Sequence, residues 1–156
     1  MKAKRKVKKK PEETALLRRE RLPDTRQSVT HKFKIDQLEG YITVGLYDDG
    51  RPGEVFIKIA KHGSTVSGLV DTIAVLTSLA LQYGVPVAKL VNKLEFTRFD
   101  PSGWTKHPEI RHAQSLVDYI FRWLGMTFCD EYRTARLAEL ATADAATSET
   151  DEAASS

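Results

Sequence analysis

A single cysteine, Cys129, stands among the 156 residues. One thiol excludes an internal disulfide and a zinc site built on cysteines, and it excludes self-sufficient thiol-radical chemistry, because re-reduction passes through further cysteines. No Gly-Lys-Ser or Gly-Lys-Thr closes a glycine-rich stretch as a nucleotide P-loop requires, and no Gly-x-Ser-x-Gly elbow is present. The four histidines, His31, His62, His107 and His112, are spaced as no standard metal pattern is. The expectation is therefore no catalytic residue, no metal and no cofactor bound by this chain itself. No apolar run is read as approaching the roughly 18 residues of a membrane span, and no apolar region follows the basic MKAKRKVKKKP. Neither a membrane partner nor a secretory signal is expected, and the reducing cytoplasm is the expected location.

What charge there is lies at the two ends. Residues 1–26 hold eleven Lys or Arg against four Asp or Glu, residues 138–156 hold five acids and no base, and the middle is nearly neutral. The first stretch reads as a basic, largely disordered arm over 1–26 that can bind nucleic acid by counterion release, although a solvated tail is the weightier reading. The closing LATADAATSETDEAASS reads as a disordered acidic tail, placed at 143–156.

Between the ends the apolar period switches from two to about 3.6. Phe33 and Ile35 alternate with Lys32 and Lys34, Ile42, Val44 and Leu46 with Tyr41, Thr43 and Gly45, and Val55, Ile57 and Ile59 share a third face. Three strands follow, the last two joined by DDGRPG, where Gly50 and Gly53 can take positive φ and Pro52 fixes its own. From Ser67 to Tyr83 the pattern is helical. Leu69, Ile73, Leu76, Ala80 and Tyr83 make one stripe and Val70, Ala74, Thr77 and Leu81 its neighbour, so this helix is expected to be buried. Gly84 suits the left-handed residue that closes it, and Pro86 the first turn of a shorter helix through Leu90, Val91 and Leu94. Ile110, Ala113, Val117, Ile120 and Leu124 recur at helical spacing up to Gly125, which is expected to end that helix. Phe121 and Trp123 cannot face the same way on it, so one of them is expected to meet a loop, a partner or water. A short helix fits 129–142. Strands first and helices after predict an α+β fold, a three-stranded antiparallel meander followed by three to four helices packed on one face.

Two groups of residues are candidates for a binding role. In KHGSTVSGLVDT the hydroxyls of Ser64, Thr65 or Ser67 are expected to cap the helix, with Asp71 close to its positive end. The same exposed amides, with Lys61, His62, Ser64, Thr65 and Ser67, could hold a nucleotide or another anion. In the loop LEFTRFDPSGWTKHPEI, Arg98, Trp104 and Lys106 are candidates for partner binding. Phe96, Phe99, Trp104, Phe121 and Trp123 could stack on bases, but packing in or against the core is the weightier expectation.

The strings RLPDTRQS, EGYITVGLY, LALQYGVP and DYIFRWLG, taken together, resemble the TSCPD domain found at the C-terminal end of adenosylcobalamin-dependent (class II) ribonucleotide reductases and as small free-standing relatives. The resemblance places that domain at about 27–128. It implies a link with deoxyribonucleotide supply for DNA synthesis, with a large catalytic reductase subunit as partner and adenosylcobalamin bound there. The sequence departs from the reductases in lacking their radical cysteines, their cobalamin-binding barrel and their cysteine-bearing tail. The Thr-Ser-Cys-Pro-Asp string of the family name does not occur, and GSTVSGLVD stands in the strand-to-helix region instead. The resemblance thus implies an accessory or regulatory subunit, or a split C-terminal module, without its own radical site. The alternative is a small basic module that binds nucleic acid or a nucleotide.

Overall fold

The computed structural model describes residues 18–60 and 63–153. Strands β1 (Ser28–Ile35), β2 (Leu38–Leu46) and β3 (Pro52–Ile59) form an antiparallel sheet in sequence order, with Lys32 opposite Tyr41 and Val44 opposite Val55. The two-residue period turns Phe33, Ile35, Ile42, Val44, Val55 and Ile57 inward and leaves Lys32, Tyr41, Phe56 and Lys58 on the open face. Gly50 takes φ +86 in the β2–β3 turn as expected. Gly53 does something else: it lies within β3, where a Cβ would fall 2.6 Å from the Tyr47 ring and 2.7 Å from Leu22, so close approach is what requires it.

Helix α1 (Ser64–Gln82) runs along the free edge of β3. The Ser78 hydroxyl accepts from the Val55 amide at 2.8 Å, and the Gln82 side-chain amide donates to the Gly53 carbonyl at 2.9 Å, which seals an edge that would otherwise offer unpaired backbone. Gly84, at φ +86, then closes the helix. Only one apolar stripe of α1 is covered. Val70, Ala74, Thr77 and Leu81 are buried, whereas Leu69 and Leu76 are exposed, and the expectation of a helix buried all round is corrected. The reason is geometric: a single strand edge shields one flank of a helix. The expectation drawn from apolar runs is corrected as well, since α1 alone among the described residues is long and apolar enough, by length and composition, to cross a membrane. Its hydrogen bonds to β3 make it part of this domain.

Helix α2 (Val87–Leu94) follows with Pro86 as its N-cap, then a small antiparallel pair, β4 (Gly103–Trp104) with β5 (His112–Ala113), and then α3 (Leu116–Phe128) and α4 (Asp130–Ala153). The fold is α+β, a three-stranded antiparallel sheet followed by four helices. Helix α3 is its axis. Phe121 and Trp123 are both buried, so neither meets water, because Tyr119 meets Phe33 of the sheet, His31 stacks on Trp123, and α2 and α4 close other sides. The helix starts at Leu116, since β5 takes up part of the run expected to be helical. Gly125 does not end it either: it sits inside α3, where a Cβ would fall 2.6 Å from the Tyr132 ring of α4. Helix α4 runs on to Ala153, past the expected end at 142 and into the stretch read as a disordered tail. Alanine-rich sequence with Glu and Arg has high helix propensity, and bidentate Arg111–Asp144 bonds of 2.7 and 2.8 Å tie the helix to the domain.

Candidate functional site

The strand-to-helix handover comes first. Ala60 still donates to the Glu39 carbonyl at 2.9 Å, and Lys61 and His62 lie outside the described residues. Gly63 is the N-cap of α1, extended at φ −63 and ψ 162, and no side chain caps the helix. The expected caps are therefore corrected: Ser64 and Thr65 are exposed, Ser67 is half-buried, and the Ser67 amide donates to the Gly63 carbonyl at 3.2 Å. Asp71 is too far along to serve the first turn and pairs with Lys58 at 3.4 Å. What remains is a helix start with hydroxyls and no acid in its first turn.

The aromatic loop is firmly held. The Thr105 amide donates to the Arg111 carbonyl at 2.9 Å, its hydroxyl bonds the Ile110 carbonyl, and the Asp36 amide donates to the Trp104 carbonyl at 3.0 Å. On that frame Trp104 is 74% exposed, with His112 edge-on at 5.3 Å. Arg98 and Lys106 are exposed too, and Lys106 lies close enough to Glu39 to help Lys34, the main cause, hold that carboxyl below its usual range. Core packing was the weightier expectation for the five aromatics. It holds for Phe121 and Trp123, while Phe96, Phe99 and Trp104 face solvent. Among the described residues no hydrogen bond or ion pair joins this loop to the start of α1.

Sequence reading did not single out two clusters that the fold assembles. In the first, His31 Nε2 lies 2.8 Å from the Tyr119 hydroxyl, the His31 ring stacks on Trp123 at 4.9 Å, and the His107 ring stands 5.8 Å away. Burial pushes both histidines below their ordinary range and the Tyr119 phenol above its own. Residues so far apart in the chain leave no local signal. The second cluster surrounds Asp118, which is fully buried and accepts from the amides of Phe96 at 2.6 Å and Gln114 at 2.8 Å, with Arg122 at 3.4 Å. Its own amide donates to the Ser115 hydroxyl at 3.0 Å. Here a signal did exist, since Ser-x-x-Asp before an apolar run is a capping signature. Phe96, held in the left-handed region at φ +59, has the guanidinium groups of Arg122 and Arg136 over its ring at 5.2 and 4.9 Å.

Between α2 and α4 an open groove of about 630 Å³ is lined by Asn92, Glu95, Cys129, Tyr132 and Arg136 among others. Glu95 accepts from Tyr132 at 2.7 Å and Arg136 at 2.8 Å. Burial first, and then the carboxylates of Asp130 and Glu131, push the Cys129 thiol up, so it stays protonated at neutral pH. Among the described residues no group of three or more His, Cys, Asp or Glu is placed to hold a metal. The strings that carry the resemblance converge on structural ties: Gln82 binds Arg19 at 2.6 Å as well as Gly53, Tyr47 donates to the Glu20 carbonyl at 2.6 Å, and Arg26 bonds Glu54.

Comparison with known proteins gives a concordant picture. A family model described as TSCPD domain matches residues 7–128. A vitamin B12-dependent ribonucleotide reductase of Rhodopirellula baltica is 61% identical over 111 residues, 71% of this chain and 11% of that protein. One of Streptomyces avermitilis is 46% identical over 110 residues, again 11% of its length, and one of Bradyrhizobium diazoefficiens 38% over 120 residues, 10% of its length. The chain thus spans about a tenth of the length of these relatives. No solved structure matches it.

Proposed function

This chain belongs to the TSCPD domain family, and from that premise we propose that it serves a vitamin B12-dependent ribonucleotide reductase as an accessory or regulatory module, in deoxyribonucleotide supply for DNA synthesis. The observation that carries the reading is the pairing of a family match over residues 7–128 with a single thiol. Reduction of a ribonucleotide by thiol-radical chemistry consumes two reducing equivalents held as a cysteine pair, and one cysteine supplies no such pair. In this reading the radical chemistry and vitamin B12 stay with a large partner chain, and this chain contributes binding surface. Trp104, with Arg98 and Lys106 beside it in sequence, is the contact of choice, because an exposed indole on a hydrogen-bonded frame loses little entropy on docking. The basic arm would add electrostatic steering, and a nucleotide or other anion at Lys61, His62, Ser64, Thr65 and Ser67 would be the regulatory ligand.

The test is capture of a large vitamin B12-dependent reductase chain by the full-length protein, with turnover measured as the protein is added. Binding at micromolar concentration or better is expected, and Trp104→Ala should weaken it by about tenfold or more. Absence of binding together with unchanged turnover would count against the proposal, and ribonucleotide reduction by the purified chain alone would overturn it.

A further inference from the structure

Helix α1 turns a second apolar stripe to solvent. Thr65, Leu69, Thr72, Leu76, Leu79 and Tyr83 recur at alternating spacings of four and three, the period at which one helix seats its side chains between those of another. Leu69 is 61% exposed, Leu76 60% and Tyr83 42%. Val75 and Phe56, both exposed, widen the stripe along a groove beside β3. Asp71, the sole charged residue of α1, lies off the stripe and is paired with Lys58.

We propose that this stripe binds the same stripe of a second copy of the chain, with the two α1 helices antiparallel across a twofold axis. Charge points to a copy of itself. A twofold contact brings residues near the axis against their own counterparts, so a charge there would meet its like, and this stripe carries none. Size points to the antiparallel arrangement. It sets Thr65 against Tyr83, Thr72 against Leu76 and Leu69 against Leu79, a small side chain facing a large one in two of three layers. A parallel pair would place Thr on Thr and Tyr on Tyr, and would align the two helix dipoles unfavourably. Area is sufficient. The half-open side chains of the stripe and its flank leave on the order of 500 Å² of apolar surface exposed, near the upper end for a patch on a monomer. With a polar rim, such a patch approaches the roughly 800 Å² per partner of a stable interface.

Sedimentation of the full-length chain between about 1 and 100 μM, where interfaces of this size dissociate or hold, tests the proposal. The expected mass is twice 17.5 kDa. Leu69→Glu and Leu76→Glu change side chains that are already solvent-exposed, so the melting curve should persist while the dimer weakens by about 100-fold or more. Adding Thr72→Lys to Leu76→Glu should restore association, because only the antiparallel pairing brings positions 72 and 76 of different copies together. A monomer at the highest concentration, or a dimer indifferent to both Glu substitutions, overturns the proposal. So does a monomer whose stripe instead binds phosphatidylcholine vesicles, or one that binds a large reductase chain in a manner abolished by Leu76→Glu.

Discussion

Asp118 shows what one side chain does for this fold. Its carboxylate is fully buried and accepts from the backbone of Phe96 and Gln114, joining the segment after α2 to the start of α3. Removing it strands those amides without their acceptor and leaves the Arg122 guanidinium with the His112 carbonyl at 2.9 Å. Asp118→Ala is expected to cost about 3–5 kcal/mol, read as a lower urea midpoint, and Asp118→Asn less, since one oxygen remains to accept. The pair His31 and His107 makes stability depend on pH. In both, burial is the first cause of a pKa lowered from the ordinary 6.5; the His107 charge adds to it for His31, while at His107 Glu109 opposes and Arg122 assists. A folded-state pKa below the unfolded one means that the unfolded chain takes up protons first. The stabilisation is therefore complete above about pH 6.5 and is lost as pH falls through the folded-state values. Tm should drop between about pH 7.5 and pH 5, and His31→Gln with His107→Gln should flatten that drop. An unchanged slope in the double variant would place its source elsewhere.

At the scale of elements, the contact of α3 with α4 depends on a missing side chain. Gly125→Ala puts a methyl group 2.6 Å from Tyr132, so α4 must shift or Tyr132 must leave Glu95. A cost of about 1–3 kcal/mol is expected, with faster amide exchange in α4 than in α3 as its local signature. The same glycine shows where sequence reading stops. As a letter after an apolar run it reads as a terminator, and only the neighbouring helix reveals it as a place of close approach. The strands were legible because alternation at period two already states which face is dry. For α1 the two stripes were legible too, but nothing local says that β3 covers Val70, Ala74, Thr77 and Leu81 while Leu69 and Leu76 stay open. The cap of α1 was misplaced because three hydroxyls compete on paper for a position that Gly63 takes through its backbone.

Over the whole molecule, the α+β class followed from the order of patterns, since strands that finish before the helices begin cannot form a wound parallel sheet. The proposed binding surfaces were legible only in part. Trp104, Arg98 and Lys106 stood out by type in a loop rich in Pro and Gly, and all three are exposed. The cluster of His31, His107, Tyr119 and Trp123 was hidden, because its members meet only when the sheet closes on α3. That closure also has a history during synthesis. The meander is complete at Ile59, but α3 begins only at Leu116, so roughly sixty residues must still be polymerised, about 3–12 s at ribosomal rates. Through that interval Phe33, Ile42 and Val44 wait for the helix that covers them in the finished fold. A chaperone that shelters apolar segments at the ribosome would find its client in that waiting stretch, and slow codons placed between β3 and α3 would lengthen its exposure.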